Sequence, residues 1–275
     1  MFQRFGILTL ACLMISFPAV IQADTITVKS DEWCPFNCEP GSDAPGYMIE
    51  VAQIIFKKAG HELIYENMPW SRSIDHARKG KIDAIPGATK GEVPDFIFPD
   101  EEFGASITYF FVKKGTSWKF KDISSLEGIR IGVQDDYEYG GMIDEYIEKN
   151  RDTQKVQVVK SDDPVTLNLK KLVKGNIDAY PEDKLVFLYK AKSMGVLEQV
   201  EEAGVIPVDN KEDFEATKIY LAFSPVNPKS AEYAKLLSDG IKEMRASGEL
   251  QKILDKYGLK DWKGELEALR KELGL

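Results

Sequence analysis

Lys79-Gly80-Lys81-Ile82-Asp83-Ala84-Ile85-Pro86 recurs as Lys174-Gly175-Asn176-Ile177-Asp178-Ala179-Tyr180-Pro181, with six of the eight positions identical. The segments upstream of the two copies run in the same order. In the first half, Thr25–Val28 reads as a strand and Asp31–Gly46 as a loop. A helix follows with Met48, Val51, Ala52, Ile55, Phe56 and Ala59 on one face, and Gly60 stops it. Glu62–Tyr65 is a strand, Pro69–Arg78 a helix and Ile82–Ile85 a third strand. The second half repeats this as strand Ile129–Val133, loop Gln134–Gly140, helix Met142–Lys149, strand Val156–Val159, helix Pro164–Lys174 and strand Ile177–Tyr180. Met142-Ile143-Asp144 echoes Met48-Ile49-Glu50. Two βαβαβ units predict an α/β protein of two similar lobes.

Right-handed crossovers make each unit a parallel sheet covered by helices, and ligands bind beyond the carboxyl ends of such strands. That selects the loops Asp31–Tyr47, Asn67–Arg72 and Pro86–Gly91 in one lobe, and Gln134–Gly140, Ser161–Val165 and Pro181–Lys184 in the other. The β-rich run Ser106–Val112 crosses between lobes, and Ala216–Phe223 returns. Residues 24–111 with 217–275 then form lobe 1, and 112–216 lobe 2. The tail Ser230–Tyr257 reads as helix interrupted at Gly240 and Gly248, and Asp261–Leu275 as a charged, packing or solvated helical extension. Two crossings make a hinge, suited to closing on a ligand.

The chain has 275 residues, 29% of them charged and 43% apolar, with a net charge of -9. These values exclude a disordered or collagen-like chain, and the acidic balance argues against nucleic-acid binding. His61 and His76 are the only histidines, which argues against a multi-His metal site; no metal or cofactor is expected. Residues 1–23 read as a secretory signal: Arg4, an apolar run Phe5–Phe17, and a small residue, Ala23, at the cleavage point. The alternative is an uncleaved anchor, but the run is short of the about 20 residues that span a bilayer. Thr9-Leu10-Ala11-Cys12 is a poor lipobox. The expected product is exported to the periplasm with Cys34 and Cys38 as its only cysteines. In an oxidising compartment these pair as a disulfide, stiffening a loop; a redox pair is the rival, and a metal site lacks further ligands.

At this point the chain resembles the extracytoplasmic solute-binding proteins of family 3, the polar amino-acid receptors of ABC importers. The matching features span nearly all of residues 24–258. They are Trp33-x-Pro35-Phe36, Gly46-Tyr47-Met48-Ile49-Glu50, Gly80-Lys81-Ile82-Asp83-Ala84 and Phe98-Pro99-Asp100. Ser125-Leu126-Glu127-Gly128-x-x-Ile131-Gly132-Val133, Gly175-x-Ile177-Asp178-Ala179-x-x-x-Asp183, Met244–Gly248 and Ile253-x-x-Lys256-Tyr257 continue them. The resemblance implies a two-lobed periplasmic binding protein (Venus flytrap) fold. It implies that Trp33 covers the ligand, that Trp70 packs on it, and that Gly87-Ala88-Thr89 binds a ligand carboxylate. The loop Gln134–Tyr139 meets that carboxylate near a helix N-terminus, with Tyr137 and Tyr139 as further contacts, and Asp183 pairs with the ligand's amino group.

One departure stands out. Members that bind α-amino acids carry an Arg shortly after the Thr89 region, whereas this chain reads Thr89-Lys90-Gly91-Glu92-Val93-Pro94-Asp95. Lys90 or Arg72 substitutes for it, or the ligand has no α-carboxylate. The expected function is capture of a small polar solute, an amino acid or related amine, by a monomer that delivers it to an ABC permease. A sensory input protein for a membrane receptor is the alternative. A dehydratase on the same fold, using Glu182 or Asp183 as acid, is the third reading, and the chain is expected not to be an enzyme.

Overall fold

The computed structural model describes residues 23–272 and Gly274. The segment expected to be an export signal thus lies, apart from Ala23, outside the described residues. Among the described residues, no helix is long and apolar enough to cross a membrane.

The first lobe opens with β1 (Thr25–Ser30), α1 (Tyr47–Lys58), β2 (Glu62–Asn67), α2 (Trp70–Arg78) and β3 (Ala84–Ala88). The chain crosses and builds β4 (Thr108–Lys113), β5 (Ile131–Gln134), α3 (Gly141–Asn150), β6 (Val156–Val159), α4 (Pro164–Lys174), β7 (Ala179–Asp183), α5 (Lys184–Ser193) and β8 (Val200–Val205). It returns through α6 (Lys211–Ala216) to β9 (Tyr220–Phe223), α7 (Ser230–Ser247), α8 (Glu249–Lys256) and α9 (Trp262–Glu272).

The duplicated unit is visible in the sheets. The first has the order β2-β1-β3-β9 and the second β6-β5-β7-β4-β8. In each, the first strand of the unit lies centrally, parallel to the other two. An antiparallel strand from elsewhere in the chain, β9 or β4, then flanks the third. The repeated aspartates tie the units together in matching ways. Asp83 accepts from the N–H and hydroxyl of Thr27 in β1, both at 2.7 Å. Asp178 accepts from the N–H of Arg130, just before β5, at 2.8 Å and from its guanidinium. Both are structural, which accounts for their recurrence in both halves.

Three expectations are corrected. The lobe boundary after residue 111 would cut β4, which pairs along its length with β7 and β8. The first crossing is therefore Ala105–Ile107, and residues 108–111 belong with the second lobe. There the two crossings run side by side: Ala105 bridges Lys218, and the Ser106 N–H donates to the Thr217 carbonyl at 2.8 Å. Gly240 does not interrupt its helix, since α7 runs unbroken through it. A Cβ there would sit 2.5 Å from Ile55 Cγ2, so the glycine serves the close crossing of α7 over α1. His61, which follows a helix end and is expected from that position to be a surface residue, instead lies between the rings of Phe56 and Tyr233 and accepts from the Asp24 N–H at 3.2 Å.

The tail helix α9 packs beside the hinge. Trp262 stacks on Tyr47 with centroids 5.7 Å apart and lies against Phe103, while Arg245 pairs with Asp261 and Glu101.

Candidate ligand-binding site

A cleft of about 390 Å³ opens between the two lobes, on the side of the hinge where the strands of both units end. Drug-sized ligand sites occupy clefts of this order.

The first-lobe wall begins at the disulfide loop. Cys34 and Cys38 are bonded. The carbonyls of Pro35 and Phe36 in that loop accept the N–H groups of Tyr47 and Met48, each at 3.0 Å, which satisfies the first turn of α1. Gly46 has φ 98°, and a Cβ there would lie 2.4 Å from Asn37 Cα, so only glycine lets the loop lie this close. The loop thereby sets Trp33 and Asn37 in the cleft wall. Trp33 stacks on Phe36 with centroids 4.3 Å apart and covers Gly87, whose Cβ position would be 3.2 Å from the indole. Trp70, first residue of α2, stands in the same wall and donates its indole N–H to Glu92 Oε1 at 2.6 Å.

The second-lobe wall comes from the loop after β5, the start of α3 and the end of β7. Tyr137, Glu138, Tyr139, Glu182 and Asp183 line it. Three hydrogen bonds join the walls. Tyr137 donates to Asp31 Oδ2 at 2.9 Å, Trp33 Nε1 to Glu182 Oε1 at 3.0 Å, and Thr89 Oγ1 to Glu138 Oε2 at 2.6 Å. Trp70 and Tyr137 meet edge to face at 6.1 Å. At the mouth, the Glu32 N–H donates to the Asp162 carbonyl at 2.8 Å, and Lys190 pairs with Glu32 at 2.6 Å. The structure is thus a closed form.

Its electrostatics are dominated by acids. Burial pushes Asp31 up to about 8, against hydrogen bonds from Tyr137 and Ser30. Burial likewise raises Glu92 to about 8, opposed by the Trp70 indole, and Asp183 to about 7, opposed by the N–H groups of α5. Glu182 is raised by burial too, although Tyr180, Trp33, Gln134 and the Asp183 N–H all donate to it. Among the described residues no group of three or more His, Cys, Asp or Glu could hold a metal ion.

Of the residues named from sequence, the structure brings Trp33, Trp70, Gly87, Thr89, Tyr137, Tyr139 and Asp183 to the cleft. Four others stand elsewhere. Ala88 is buried in β3. Gln134 lies behind the wall, bonded to Tyr180 and Glu182. Arg72 is exposed on α2. Lys90 sits over the rings of Tyr220 and Phe98, at 5.0 and 5.9 Å. Neither cation expected to replace the missing Arg lines the cleft. Two assigned roles also meet different partners. Thr89 spends its hydroxyl on Glu138. Asp183 caps α5, accepting from Leu185 and Val186 at 2.8 and 3.1 Å. Sequence reasoning missed Asn37, Glu92 and Glu138, and treated Glu182 only as a catalytic acid. Glu92 and Glu138 stand in or beside loops it had selected, so strand-end geometry was the available signal.

The fold and cleft define a two-lobed solute-binding protein. The chain belongs to the bacterial extracellular solute-binding proteins, family 3, whose model matches residues 26–260. The match ends just before α9. Comparison with curated protein sequences gives no match. Among solved structures, one is from work on glutathione import in Gram-positive bacteria via GshT and the cystine ABC importer TcyBC of Streptococcus mutans. It is similar at TM-score 0.70 and 19% identity, over 88% of this chain and 99% of that one. A histidine kinase sensor domain similar to periplasmic binding proteins gives TM-score 0.67 and 18% identity, over 85% and 95%. An ancestral arginine-binding protein bound to arginine gives 0.63 and 24%, over 85% and 97%. At these identities the likeness shows the fold.

Proposed function

We propose that the chain is exported by its first 23 residues to the periplasm, captures a small polar solute by hinge closure, and delivers it to an ABC importer. The observation that carries this reading is the cleft itself: two aromatic-lined walls from separate lobes, joined by direct hydrogen bonds and connected by only two chain crossings. Closure on a bound solute would present both lobes in one arrangement to a permease.

Binding is favoured over turnover by the state of Glu182. Its carboxylate is held by four donors, which makes it a brace between Trp33 and Gln134 and not a free acid. Asp183 is likewise occupied as a helix cap.

A thermal-shift screen with amino acids, amines and small organic acids tests the proposal. A true ligand raises the melting temperature in a concentration-dependent way. No response across the panel counts against solute capture. The likeness to a histidine kinase sensor domain supports a second reading, in which the closed form signals to a receptor. Neighbouring permease and ATPase genes favour import, and a lone kinase gene favours sensing.

A further inference from the structure

The cleft is lined by Glu92, Glu138, Glu182, Asp183, Asp209 and Asp213, and by no Lys, Arg or His among the described residues. A ligand carboxylate entering it would need donors, and several side-chain donors in its walls are already engaged by the protein's own acids. The indole N–H of Trp33 goes to Glu182 and that of Trp70 to Glu92. The hydroxyl of Thr89 goes to Glu138. At the N-terminus of α3, where an anion would be welcomed, the protein places an acid of its own in the first turn. Asp144 accepts the N–H groups of Tyr139 and Gly140 at 2.8 and 3.0 Å.

An independent observation points to a ligand that donates. Asn37 lines the cleft and is fully buried. Its amide nitrogen donates to the Asp31 carbonyl at 2.6 Å and to the Tyr65 hydroxyl at 3.0 Å, which fixes the orientation of the amide. Its Oδ1 is then left buried without any donor. Such an orphan acceptor is costly and calls for a partner. The rings of Trp33, Trp70, Tyr137 and Tyr139 line the same cleft, and aromatic faces favour a cation over an anion.

We propose that the cleft selects a small organic cation that carries N–H donors and no carboxylate, an inference that rests on the solute-capture reading above. The ammonium or guanidinium head sits among Glu92, Asp183 and the Asn37 oxygen, with the aromatic rings covering the rest. The charge it brings offsets the acids that closure buries. It displaces protons from Glu92 and Asp183, so binding tightens as pH rises through about 7–8.

The test is calorimetry on the intact mature protein with matched pairs that differ by one carboxylate: agmatine against arginine, and 1,4-diaminobutane against ornithine. Tetramethylammonium serves as the cation without N–H. The decarboxylated member of at least one pair is expected to bind at least ~10-fold tighter than its partner and than tetramethylammonium. That binding should release protons, seen as a buffer-dependent heat. Glu92→Gln should weaken it by about tenfold with circular dichroism unchanged; if that variant does not fold, proton release by the wild type decides. Equal or tighter binding of arginine or ornithine overturns the cation assignment and leaves solute capture standing, as does a sugar or organic acid binding alone. Tetramethylammonium binding as tightly as the amines overturns the donor requirement. Silence across both pairs and the broader panel overturns solute capture as well.

Discussion

Replacing Tyr137 with Phe deletes one hydroxyl and keeps the ring against Trp70. The hydroxyl donates across the cleft to Asp31 Oδ2 at 2.9 Å, so the bond exists only in the closed form. Asp31 is otherwise buried, at 1% exposure, and the variant leaves its acceptor short of a donor. Losing a hydrogen bond to a buried neutral group costs about 1 kcal/mol, and to a buried charged one about 1.5–3 kcal/mol. Burial holds Asp31 near 8 while Tyr137 stays protonated, so the acceptor changes from neutral to charged within an accessible range. Closure should weaken about fivefold near pH 6 and up to about 100-fold near pH 9. Small-angle scattering of the ligand-free protein reads this as a larger radius of gyration for the variant, more so at the higher pH. Titration with agmatine reads it as a matching loss of affinity. A variant as compact as wild type at both pH values, or a larger effect at the lower one, would refute the reasoning.

Three further outcomes follow. Cys34→Ser with Cys38→Ser removes a five-residue loop constraint worth about 2 kcal/mol by chain entropy, or roughly 4–8 °C in Tm, measured by calorimetry; no change would show that the loop is held by its carbonyl bonds to α1 alone. Gly240→Val places a side chain against Ile55 and should destabilise by about 1–3 kcal/mol in urea unfolding without altering ligand selectivity. The raised carboxyls Asp31, Glu92 and Asp183 gain protons on folding, so their contribution is complete near pH 4 and is lost as pH rises through about 7–8. The Tm of the ligand-free protein should therefore fall between about pH 5 and pH 9, and fall less with a bound cation; a rising Tm over that window would contradict the burial of these acids.

Much of the architecture was legible in the chain because the duplicated Ile-Asp-Ala segment, which leads into the third strand of each unit, carries its own internal control when read with its upstream helices. Asp83 and Asp178 recur because each fastens the third strand of its unit to the first. Strand-end geometry likewise selected five loops that line the cleft, and Trp33, Trp70, Tyr137 and Asp183 arrive there on them, whereas the sixth, Ser161–Val165, contributes no lining residue. What could not be read was direction and pairing. Lys90 follows Thr89 directly, yet its stem carries the ammonium away onto Tyr220. Gln134 ends a strand at the cleft, but pleat alternation turns it inward to Glu182. The boundary within Ser106–Val112 depended on which sheet accepts β4, a long-range pairing that local β propensity does not record. Gly240 looked like a helix stop because the close approach of Ile55 has no local signature.

The central claim is that the two lobes close on a small solute between Trp33 and Trp70 on one side and Asp183 on the other. The most direct measurement is an X-ray map of the protein purified from bacterial periplasm without refolding, since tight ligands are retained. The account predicts compact density in that cleft, with a nitrogen within hydrogen-bonding distance of Asp183, Glu92 or Asn37 Oδ1. A cleft filled by the protein's own side chains, or a ligand held outside it with a carboxylate on Lys90 or Arg72, would contradict it.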